Sequence, residues 1–247
     1  VVLRDLLLDG NKATNTTGTI SGVAFNGVGG GSGSTARQGA VITNIWANNF
    51  TTDGIYISNS ANSSIANSTA QGNGSQGIRV GNSSRPVIAK NISQGNTAFG
   101  ISIAGTSFTS INANTINDNT GGGVLFSGTA TDNNFTSNAL RENGGSVSNS
   151  SIQIAVVTSD VDRTFIVGNS IYDSVGTGSA ILISGATADD TYLSNNSFSG
   201  PGASNISDAG TNTRYVGQAT AALGANVLFR QANSTTALTV QNASGTS

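Results

Sequence analysis

The residues able to do chemistry in this 247-residue chain are few, and neither histidine nor cysteine is among them. A Ser-His-Asp triad, an imidazole base, a histidine metal site, disulfides and thiolate chemistry are therefore excluded. What remains is carboxylate with Arg or Lys, which can transfer protons or hold a hard cation. Asp118, Glu142 and Asp173 form the first group, with Arg141 beside Glu142. They fall at equivalent places in a phrase that returns along the chain. If that phrase stacks on itself, neighbouring members stand about 5 Å apart and the outer two about 10 Å. Such distances suit a glycosidase-type carboxylate pair, and stacked like charges would raise one pKa or attract a cation. The alternative is a set of solvated turn residues.

Two further groups stand out. Asp160 and Asp162 lie next to Arg163 in "TSDVDRT" at 158–164 and are candidate metal ligands. Calcium needs about six to eight oxygens, so other groups would have to converge on them, and an ordinary polar loop is the alternative. Tyr56 and Arg79 could stack on a sugar ring and hydrogen-bond to it, making them candidate carbohydrate contacts. Arg79 could equally pair with Asp53 as a surface ion pair of little energetic value. Trp46, the single Trp, is expected to pack at a coil edge. The Gly-rich "GVGGGSGS" at 27–34 has no Lys and does not read as a phosphate loop.

The elements that must position these residues are repeats. "GIYIS" at 54–58 returns as "GIRVG" at 77–81, "GISIA" at 100–104 and "GVLFS" at 123–127, with glycines spaced 23 residues apart. "SIQIA" at 151–155 and "AILIS" at 180–184 continue the series at longer intervals. Alternating β-branched residues predict strands with one buried face. A second phrase lies between: "NSTAQGN", "NISQGN", "NTINDN" and "NALREN", whose apolar members include Ile92, Ile116 and Leu140. Asn44, Asn67, Asn91, Asn114 and Asn138 form one recurring file, and Asn49, Asn73, Asn96, Asn119 and Asn143 another. Asn tolerates a left-handed turn and can bond to the next Asn in a ladder, so these files are expected to be structural. Gly, Asn, Ser and Thr crowd every window, which opposes helix. One coil cannot bury its own apolar edge, whereas stacked coils share a continuous column. The expected fold is an all-β parallel β-helix of about eight coils over residues 1–212. A non-repeating tail follows over 213–247, holding an Ala-rich run at 219–225 and a strand-like segment at 236–247.

Composition narrows the setting. Only 9% of residues are charged and the net charge is −2. Nucleic acid is not an expected partner, because it requires clustered Lys and Arg. No apolar run is long enough to span a membrane. The chain lacks Met, which raises the expectation that a leader was removed or that the chain is part of something longer. Thirteen Asn-x-Ser/Thr triplets occur, Asn67, Asn91, Asn134 and Asn195 among them. They read as turn chemistry or as glycosylation sites. Low charge, absent Cys and abundant Asn and Thr suit a secreted or cell-surface protein.

With the 23-residue phrase and "LRDLLLDGN" at 3–11, the chain resembles the right-handed parallel β-helix proteins of the pectate-lyase-like superfamily. The resemblance implies a right-handed, single-stranded parallel β-helix and covers roughly residues 1–212. It leaves function open, since the superfamily holds lyases, hydrolases, epimerases, tailspikes and adhesins. The paired-Asp, GHG and RIK motifs of its polygalacturonase-like members are missing here. Its pectate-lyase-like members imply calcium and an Arg or Lys base. The tail "NSTTALTVQNASGTS" is similar to a module of bacterial surface and fibre proteins. Three readings follow. The first is an extracellular structural or adhesive rod that associates end to end or through its C-terminal strand, with no cofactor. The second is a polysaccharide lyase or glycoside hydrolase, for which calcium is the cofactor to test. The third is a non-catalytic carbohydrate-binding module.

Overall fold

The computed structural model describes residues 1–15, 18–27, 39–144, 152–155, 161–174, 179–185, 187–201 and 206–216, and no side chain of 153–155. Among these the regular structure is parallel strands stacked into a solenoid with three faces. Face one is an eight-stranded sheet running from Val23–Asn26 to Ile206–Asp208. Faces two and three are limbs of a 15-stranded sheet that diverge from one long strand, Val41–Asn48. The first half of that strand pairs with Ser64–Ala66 on face two, and its second half with Thr69–Gln71 on face three. Among the described residues seven turns carry a strand on every face, with partial turns at both ends, slightly fewer complete coils than the eight expected.

The repeated phrase fills the interior as its alternation predicts. Ile55, Ile78, Ile101 and Val124 are paired in direct register, then Ile152 and Ile181, and all are 0% exposed. A parallel file Ile57, Val80, Ile103 and Phe126 is also fully buried. Deeper in the core Phe126 meets Phe135 edge to face at 6.3 Å. These stacked columns bury apolar surface that a lone turn would expose.

Two asparagine ladders hold the corners, and their membership differs from the sequence expectation. Between faces two and three the ladder is Ser68, Asn91, Asn114, Asn138, Asn169 and Asn196. Asn91 shows the unit. Its backbone N–H and Nδ2 both donate to Asn114 Oδ1 (2.9 and 3.1 Å), and Nδ2 also donates to the Ile65 carbonyl at 2.9 Å. Every polar atom of the amide is thus used where water is excluded. The second ladder, Asn73, Asn96, Asn119 and Asn143, follows face three. Asn44, Asn67 and Asn49 belong to neither ladder. They sit one residue earlier, exposed, at left-handed φ of 53°, 50° and 54°. Two adjacent files, one outer and one inner, share the same period and were merged by spacing alone.

The ladder also corrects Ile92. Asn91 is the inner anchor, so the next residue points outward and the one after points in. Ile92 is 41% exposed, and Ser93 occupies the interior place taken by Ile116 one turn on. Ser93 Oγ donates to the Gly100 carbonyl at 2.7 Å, which makes the buried hydroxyl tolerable. Asn91 is 1% exposed with its amide occupied, whereas Asn67, Asn134 and Asn195 are exposed. At the far end Arg214–Val216 still pairs with Tyr192–Ser194, so the solenoid runs past residue 212. The remainder of the expected tail, 217–247, lies outside the described residues, as does most of the Gly-rich 27–34 segment.

Candidate functional site

Outward positions on face one alternate with the buried isoleucines, and parallel register stacks them one per turn. Tyr56 is paired with Arg79, then Ser102, then Leu125. Arg79 Cζ stands 5.0 Å from the Tyr56 ring centroid. Arg79 Nη1 lies 3.7 Å from Asp53 Oδ2, and the Asp53 side chain is only 6% exposed while that of Arg79 is 43%. Asp53 Oδ1 also accepts the Gln76 backbone N–H at 3.1 Å. The buried carboxylate therefore anchors a guanidinium that lies on an aromatic ring and keeps donors free toward solvent. This arrangement can hold a planar or ring-shaped polar ligand. As a surface pair it is worth about 0–1 kcal/mol in stability.

The stacked carboxylates are in the expected register: Asn117 pairs with Arg141 and Arg141 with Tyr172, which places Asp118, Glu142 and Asp173 on successive turns. Their environments differ. Asp118 is exposed, Glu142 half-buried and Asp173 buried. Glu142 Oε2 accepts from both the backbone N–H and the Oγ of Ser174, each at 3.0 Å, and Arg141 lies over the Tyr172 ring at 5.2 Å. Among the described residues no group of three His, Cys, Asp or Glu side chains converges to hold a metal ion.

The sequence of the repeat agrees with this architecture. A family model described as the right handed beta helix region matches residues 6–140. The chain belongs to the right-handed β-helix family. Similar solved structures include the Agl-KA catalytic domain, at 17% identity and a TM-score of 0.52 over 79% of this chain. The chain spans 46% of that domain's length. The mannuronan C-5 epimerase AlgE4 A-module of Azotobacter vinelandii is 16% identical, with a TM-score of 0.46 over 88% of this chain and 70% of that one. The Siphovirus 9NA tailspike receptor binding domain is 12% identical, with a TM-score of 0.41 over 79% and 46%. A search among curated proteins finds no match.

The other sequence candidates take various places on this β-helix. Asp160 lies outside the described residues. Asp162 is on the short strand Val161–Asp162, paired with Asp189 at the corner between faces one and two. Its neighbour Arg163 turns to Asp132 of the preceding turn, with bonds of 2.6 and 2.8 Å. That pairing holds the Asp132 carboxyl below its ordinary range and raises the Arg163 guanidinium. Trp46 does not pack at a coil edge; it points outward on face three, 49% exposed, above Thr69.

Sequence reasoning missed two features. One is a cleft of about 630 Å³ beside the first turn, lined by Asp9, Asn11, Lys12, Asn49, Thr51 and Gly74, where the Lys12 ammonium donates to the Gly72 carbonyl. The other is Arg85, whose guanidinium lies over the Phe108 ring at 5.7 Å. The corner file of mixed types, Asn62, Arg85, Phe108 and Asp132, gives no sequence pattern that singles the pair out.

Proposed function

We propose that this right-handed β-helix binds carbohydrate on face one, with Tyr56 and Arg79 as the contacts and Asp53 as the residue that positions Arg79, in an extracellular setting. The observation that carries the reading is the buried Asp53 carboxylate fixing a half-exposed guanidinium on a partly exposed tyrosine ring. A sugar offers an apolar ring face for stacking and hydroxyls for charged donors, and both needs are met side by side. The fold alone assigns no activity. Affinity electrophoresis against a panel of neutral and acidic polysaccharides tests it. Tyr56→Ala and Arg79→Ala should each weaken binding about tenfold or more while leaving the melting temperature nearly unchanged. Wild-type retardation in both variants ends the proposal. The same incubations, followed for release of shorter chains, test cleavage through Asp118, Glu142, Asp173 and Arg141.

A structural reading keeps one observation of its own. Leu6 pairs with buried Ile45 on the interior side, yet is 40% exposed because no further turn covers it among the described residues. An apolar cross-section of this kind invites stacking of a second copy. Particles that lengthen with concentration under negative stain would favour that role; uniformly short particles would remove it.

A further inference from the structure

The corner between faces one and two takes one residue per turn in the left-handed region: Asn62, Arg85, Phe108, Asp132, Arg163 and Asp190, with φ of 48–59°. Asn and Asp accept this backbone readily, whereas Arg and Phe do so at a cost. Arg163 regains it through its two bonds to Asp132. Phe108 has no such return. It is a bulky side chain in a strained conformation, and it is 53% exposed instead of buried. Strain of this kind persists where a surface is used.

The surroundings of Phe108 point to what it holds. Arg85, exposed, lies over the ring. Val87 follows at 40% exposure on the face-two strand Val87–Ala89, and exposed Lys90 stands just after that strand at the next corner. Arg85 and Lys90 stand about 16 Å apart along an extended backbone. The sequence holds no Asp or Glu between Asp53 and Asp118; Asp53 is taken by Arg79, and Asp132, the next corner residue after Phe108, is taken by Arg163. Arg85 and Lys90 therefore form a local cationic strip beside an exposed aromatic ring, on a protein whose net charge is negative.

We propose that Phe108, Arg85 and Lys90 form a second binding site, on face two, for an acidic polysaccharide of uronic acid units. The phenyl ring stacks on the C–H face of a sugar. The Arg85 fork takes the carboxylate of that unit, and Lys90 takes that of a unit further along the chain. Two free cations are too few for a nucleic acid or an anionic membrane surface. The site is separate from the face-one contacts and does not depend on them.

Titration calorimetry with polygalacturonate, dextran and anionic lipid vesicles tests this in the Tyr56→Ala background, so that loss of the face-one site cannot be confused with loss of this one. Polygalacturonate should bind, more weakly as salt is added, and dextran and the vesicles should not. Adding Phe108→Asn or Arg85→Gln should reduce the affinity about tenfold or more. The Asn variant should melt at the same or a higher temperature, because Asn suits the corner backbone. Binding retained by Phe108→Asn, binding of dextran or vesicles as tight as that of polygalacturonate, or a loss that merely tracks a fall in melting temperature would each overturn the proposal.

Discussion

Asn96 Nδ2 lies 2.6 Å from the point where a Cβ on Gly77 would stand. The same relation holds between Asn73 and Gly54 at 2.6 Å, and between Asn119 and Gly100 at 2.7 Å. The glycines that open these three phrases are therefore a consequence of the ladder: the amide needs the space that a side chain would fill.

Gly77→Ala should destabilise the protein by about 1–3 kcal/mol, because both Asn96 and Ser93 must move. Gly81→Ala, whose new Cβ would meet nothing closer than 3.9 Å, should cost far less. Chemical denaturation of the two variants provides the comparison, and equal losses would contradict the steric account.

Replacing Asn114 by Ala removes the acceptor of the Asn91 N–H and Nδ2 and the donor to the Ile88 carbonyl. Each orphaned buried group costs roughly 1–3 kcal/mol, so a total near 3 kcal/mol or more is expected. Hydrogen exchange should show the Asn91 amide losing protection first.

Ile92 and Ile116 look alike in the sequence and differ in the fold. Ile92→Thr should change stability by no more than about 0.5 kcal/mol. Ile116→Ala, at a fully buried position, should cost about 2–5 kcal/mol. Thermal melts of the pair check the inner and outer assignment of each ladder turn.

The Asp132–Arg163 pair predicts a pH effect. The Asp132 carboxyl is held below its ordinary value of 3.8, so its contribution to stability is complete above that value. It is lost as the pH falls through the lower folded value. Asp132→Asn should remove this part of the acid sensitivity and leave a shallower decline in melting temperature between neutral and strongly acid solution. An unchanged acid profile would mean that the pair contributes nothing.

The stack itself was legible because its cause is a period. The strict alternation of Ile55, Ile57, Ile78 and Val80 already says which side is buried and what lies above it. The ladders were legible in kind but not in membership. Asn67 and Asn91 are 24 residues apart, close enough to the true spacing to join two files, and only the backbone turn separates an outward Asn from an inward one. The register of Asp118, Glu142 and Asp173 could be read from the phrase, but not the turn of Glu142 toward Ser174, which depends on a loop conformation. Arg85 and Phe108 were passed over because an isolated Arg or Phe carries no signal until the corner it occupies is known to be left-handed.

A turn that touches only its two neighbours is a unit of length. The turns opening at Gly54, Gly77 and Gly100 share one face-one register and one ladder contact, and differ in a single interior place that holds Ala70, Ser93 and Ile116 in turn. A duplication of one such segment in the gene would add one step of about 4.8 Å and leave every other turn intact. Reach can thus evolve in increments, as on a ruler, while whatever is displayed at each mark changes by single substitutions.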